Sequence, residues 1–70
     1  SPASLIQQTV GQAWEMELPA NEAPNPEWKI ASRVQEDGGL RLRVVGPNPG
    51  RGAKPVMPTL EEAYLVLMGN

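Results

Sequence analysis

Ala13 to Leu18 carries an alternation of polar and apolar positions: Trp14, Met16 and Leu18 face one way, Glu15 and Glu17 the other. That period of two predicts a half-buried strand, ended by Pro19. Trp28 to Gln35 and Leu40 to Val45 read the same way. The second run places Trp28, Ile30, Ser32 and Val34 on one side, and the third places Leu40, Leu42 and Val44 inward with Arg41 and Arg43 outward. Glu36-Asp37-Gly38-Gly39 between them is a hairpin signal. A two-residue Asp37-Gly38 turn would oppose Val34 to Arg41. A three-residue loop instead pairs Val34 with Leu40 and Ile30 with Val44, and parity favours it. That register opposes Arg33 to Arg41, a repulsion that Glu15 and Glu17 relieve if the first strand lies beyond the third. The expected order is second, third, first.

The ends of the chain carry a period near 3.6. Ser4 to Val10 predicts a short helix capped by Ser4, with Leu5, Ile6 and Val10 as its apolar edge and Gly11 as its stop. Thr59 to Met68 is the clearer helix. Thr59-Leu60-Glu61-Glu62 is a capping box, Pro58 blocks entry from upstream, and Gly69 closes it. Leu60, Ala63, Tyr64, Leu67 and Met68 form one stripe, expected to pack on Trp14, Met16, Ile30, Val34, Leu40 and Leu42. Leu65 and Val66 are left on the far side, which makes them the expected outer contact. Pro19 to Glu27 and Gly46 to Pro58 have no period and read as loops, with Ala53 to Met57 a short edge strand because Pro55 bars a central place. The fold class is α+β: a small antiparallel sheet of three to four strands, a C-terminal helix packed on one face and a short N-terminal helix.

Composition narrows the chemistry. The 70 residues hold no Phe, two Trp and one Tyr, so one small core is all the chain supplies. No Cys or His is present. A zinc site of the usual kind and a His-dependent catalytic triad are therefore excluded, and the lack of disulfides favours a cytoplasmic origin. The net charge of −2 argues against nucleic acid. Gly50-Arg51-Gly52-Ala53-Lys54 looks like a phosphate loop, but Pro55 follows the lysine where a helix should open. Glu15 and Glu17 read as ion-paired surface carboxylates rather than an acid/base pair, and the two tryptophans as core rather than a stacking platform. No run is long enough to cross a bilayer, so no membrane insertion is expected.

Pro58-Thr59-Leu60-Glu61-Glu62-Ala63-Tyr64-Leu65, followed by Val66-Leu67-Met68-Gly69, resembles the "P-[ST]-L-E-[DE]-x-[FY]-L-x-L-x-G" close of ATP-binding subunits of ABC-2-type exporters. Ser1-Pro2 with Leu5-Ile6 resembles the helix after their nucleotide-binding domain. Gly11-Gln12-Ala13-Trp14-Glu15 and Arg41-Leu42-Arg43-Val44-Val45 resemble two strands that follow. The resemblance implies a C-terminal accessory domain, residues 1–70, in a reduced ferredoxin-like layout. The family commonly has helices where this chain has its two loops. No Walker A, Walker B or signature motif is present, so the resemblance puts a nucleotide-binding domain, with its ATP and Mg, upstream of Ser1. It implies no catalysis and no cofactor in these residues. The implied partners are that domain, its dimer mate and a membrane-spanning permease subunit, at the cytoplasmic face of the cell membrane. The opening Ser1-Pro2, without a start methionine, fits a piece of such a chain. The rival readings are a small-ligand-sensing or protein-interaction module, which would need a concave apolar pocket with convergent polar groups, and a stand-alone enzyme resting on its glutamates.

Overall fold

A computed structural model describes residues 2–68. The chain runs α1 (Pro2–Gln8), β1 (Ala13–Pro19), β2 (Lys29–Glu36), β3 (Gly39–Val45), β4 (Lys54–Pro55) and α2 (Leu60–Met68). The strands form one antiparallel sheet in the order β2-β3-β1-β4. The α+β class and the order of the first three strands follow the sequence pattern, and β4 is the short edge strand that Pro55 dictates. The expected Gly69 stop lies outside the described residues.

The β1–β3 register opposes Glu15 to Arg43 and Glu17 to Arg41, while Trp14, Met16 and Leu18 meet Val44, Leu42 and Leu40. One face of the central pair is therefore apolar and the other is ion-paired. Met16, Leu18, Leu42 and Val44 form the buried cluster, with Trp28, Ile30, Leu40 and Ala53 packed against it.

The hairpin corrects the expected register. β2 and β3 are joined by the two-residue Asp37-Gly38 turn, so Val34 faces Arg41 and Gln35 faces Leu40. A bulge between Ile30 and Ser32 absorbs the parity error and returns Ile30 to Val44. Val34 is left 50% exposed instead of in the core. Arg33 faces Leu42, so the expected Arg33–Arg41 repulsion does not arise. Burial specifies register only where one face is covered, and β2 is exposed from Arg33 to Glu36. Gly38, at φ 81°, does take the left-handed position the turn requires.

α1 starts earlier than expected, at Pro2, so Ser4 lies inside the helix rather than at its cap. The helix ends at Gln8, and the buried Thr9 hydroxyl bonds the Leu5 and Ile6 carbonyls at 3.2 and 3.0 Å. That hydroxyl satisfies end carbonyls that a helix otherwise leaves to water.

Candidate functional site

The closing segment is built around its cap. The Glu62 amide donates to Thr59 Oγ1 at 3.1 Å, and the Thr59 amide donates to Glu62 Oε1 at 3.0 Å. Ala63 N bonds the Thr59 carbonyl at 2.9 Å, the first bond of the helix. The Glu62 carboxylate has a second task. Arg43 Nε donates to Oε2 at 2.6 Å and Arg43 Nη2 to Oε1 at 2.8 Å, a two-pronged pair between α2 and β3. Arg43 Nη2 also donates to the Met57 carbonyl at 3.0 Å, and Glu15 stands 4.0 Å from its Nη1. The Arg43 bonds hold the Glu62 carboxyl below the ordinary glutamate range and raise the guanidinium in turn.

This bridge decides which way α2 faces, and it corrects the expected stripe. Arg43 shares its side of the sheet with Val45 and Ala13, opposite the Met16–Leu42 cluster. A helix held by Glu62 to Arg43 therefore lies on the charged side of the sheet, beside α1, and not on the expected inner face. At about 100° per residue, Glu62, Ala63 and Val66 fall within one arc, and Tyr64 and Met68 fall opposite. Glu62 and Ala63 are buried, and Leu60, Leu65 and Val66 are half-buried. Tyr64, Leu67 and Met68 are exposed by 51%, 48% and 71%. Leu65 and Val66 thus do not form the outer surface; three residues of the expected inner stripe do. Of the other motif residues, Pro58 is buried, while Thr59 and Glu61 are exposed. Arg43 is the functional residue that the local pattern does not point to, because the capping box accounts for Glu62 by itself.

The apolar side of the sheet is covered by the two loops instead. Trp28 comes from one and Ala53 from the other. Arg51 binds the Glu22 carboxylate through both terminal nitrogens and ties the loops together, which lowers the Glu22 pKa and raises that of Arg51. Arg51 sits at φ 60° between Gly50 and Gly52, also left-handed, so the clamp holds a backbone that arginine rarely adopts. The phosphate-loop lookalike is thus an arm of this clamp, and Lys54 lies in β4 opposite Glu15. The indole nitrogen of Trp14 donates to the Gly46 carbonyl at 3.0 Å, which fixes the start of the second loop.

Between the loops and α2 lies an open cleft of ≈ 360 Å³, with Trp28, Pro47, Pro49 and Val66 among its walls. Among the described residues, no group of acidic side chains is placed to hold a metal ion, and no helix is long and apolar enough to cross a membrane. No family model, curated protein or solved structure matches this chain.

Proposed function

We propose that this chain is the C-terminal accessory domain of an ATP-binding subunit of an ABC-2-type exporter, non-catalytic itself and docked on the ATPase. One observation carries the reading. The segment with the family-like motif, Pro58 to Met68, is a capped helix fastened to the sheet, with Tyr64, Leu67 and Met68 uncovered on its outer side. An apolar row on a fixed helix suits a protein contact. In this reading the row packs on the subunit's own nucleotide-binding domain or its dimer mate. ATP and Mg bind in that upstream domain, and the assembly works with a membrane-spanning permease at the cytoplasmic face of the membrane.

The test is made in the full-length subunit. Tyr64→Asp with Leu67→Asp should leave the domain folded and lower ATPase activity or co-purification with the permease. Unchanged activity and assembly would remove the docking role. A coding sequence upstream of Ser1 without a Walker A and Walker B pair would remove the family assignment.

A further inference from the structure

The cleft between the loops has features that packing alone does not require. Its apolar lining comes from separate parts of the chain: Trp28 from one loop, Pro47 and Pro49 from the other, and Val66 from α2. Proline rings carry a fixed backbone angle, and the Glu22–Arg51 clamp joins the two loops that bear these walls, so the shape is preorganised. The volume of ≈ 360 Å³ lies at the small end of ligand sites, which run from about 300 to 1,000 Å³.

The polar rim carries three amide side chains, Gln12, Asn25 and Asn48, with Lys29 and Glu27. Asn25 Oδ1 accepts from Glu27 N at 2.8 Å, and Asn48 Oδ1 accepts from Gly50 N at 2.8 Å. Each asparagine uses one acceptor lone pair to fold its own loop, and its two NH₂ donors have no acceptor among the described residues. Lys29, half-buried and in no ion pair among the described residues, adds an ammonium. Among the described residues, Glu27 is the one carboxylate on the rim.

We infer that this cleft binds a small ligand with an apolar body and a carboxylate. The body lies between Trp28 and the two prolines, and the carboxylate meets Lys29 and the asparagine amides. Two sources share this chemistry, a hydrophobic monocarboxylic acid and a free apolar amino acid, and Glu27 separates them by its attraction for an α-ammonium. Val66 belongs to the helix whose outer side carries Tyr64, so an occupant touches the inner side of that helix. The site stands independently of the exporter assignment.

The test is an amide and indole NMR titration of the 70-residue chain with 3-phenylpropionate, phenylalanine and the uncharged 3-phenylpropanol. The expected result is saturable shifts at the Trp28 indole and the Lys29, Gly46 and Val66 amides with at least one of the two acids. Lys29→Gln should weaken that binding about tenfold, the loss of one charge-assisted hydrogen bond. Tighter binding of phenylalanine, abolished by Glu27→Gln, supports the amino acid. Tighter binding of phenylpropionate, strengthened by Glu27→Gln, supports the monocarboxylic acid. No saturable shift at millimolar ligand, equal binding of phenylpropanol, or no effect of Lys29→Gln in a chain that keeps its native spectrum would overturn the inference.

Discussion

Replacing Glu62 by alanine removes two supports with one side chain. The carboxylate is 5% exposed and accepts two bonds from Arg43, whose side chain is 25% exposed. Breaking a fully buried pair costs about 3 to 5 kcal/mol, because the stranded charge stays desolvated. Here the freed guanidinium keeps the Met57 carbonyl, the nearby Glu15 and some water. The pair therefore contributes closer to about 2 kcal/mol, and losing the bond from Thr59 N adds about 1 kcal/mol. A domain of this size has a total stability of about 4 to 10 kcal/mol, so a loss of about 3 kcal/mol is large. It corresponds to a fall in Tm of roughly 15 °C. Thermal unfolding followed by circular dichroism at neutral pH measures it, and a double-mutant cycle with Arg43→Met separates the pair from the cap bond. The Arg43→Met, Glu62→Leu double variant should recover part of the loss, since an apolar pair leaves no orphan charge while the cap bond and the Met57 bond stay broken. The pH dependence supplies a sign. The folded state lowers the Glu62 pKa, through Arg43 first, so the unfolded chain takes up a proton at higher pH than the folded one. The contribution is complete above about pH 4.3, the ordinary glutamate value, and is lost as pH falls through the folded value. The gap between wild type and Glu62→Ala must therefore narrow in acid. A Tm change under about 4 °C at neutral pH, or a gap that widens in acid, would refute the argument.

Other variants probe the remaining features. Gly39→Ala puts a Cβ 2.4 Å from the Leu18 carbonyl oxygen across the β1–β3 ladder, so the strands must separate. A loss of about 2 kcal/mol in urea unfolding is expected, and an unaltered midpoint would contradict that close approach. Val34→Thr should change stability by less than about 0.5 kcal/mol, because Val34 lies on the exposed half of β2. A loss several times larger would restore the three-residue loop. Glu22→Gln should leave the fold intact and speed amide exchange in both loops, an effect that added salt mimics in the wild type; equal exchange in variant and wild type would show that the clamp holds nothing.

The sequence is legible where two independent signals agree. β1 from Trp14 to Leu18 and β3 from Leu40 to Val44 alternate with opposite charges on their outer sides, so their pairing could be read from Glu15, Glu17, Arg41 and Arg43. The Thr59–Glu62 cap was legible because both bonds are local. The β2–β3 register was not. A bulge repairs a parity error at the cost of one residue, and the pattern of β2 carries no mark of it. The facing of α2 was also hidden. Its stripe admits two rotations, and the choice rests on Arg43, nineteen residues away, rather than on apolar content. The cleft left no motif at all, since it arises from two loops brought together by Glu22 and Arg51.

The packing of α1 on α2 joins the first element of the chain to the last. α1 has seven residues and none of them is buried, too little for a helix to persist alone in water. During synthesis α1 therefore waits for a partner that is made only after all four strands of the sheet. Peeling α2 away would free α1 at once, which makes both ends of the domain one cooperative unit and a protease's simplest point of attack.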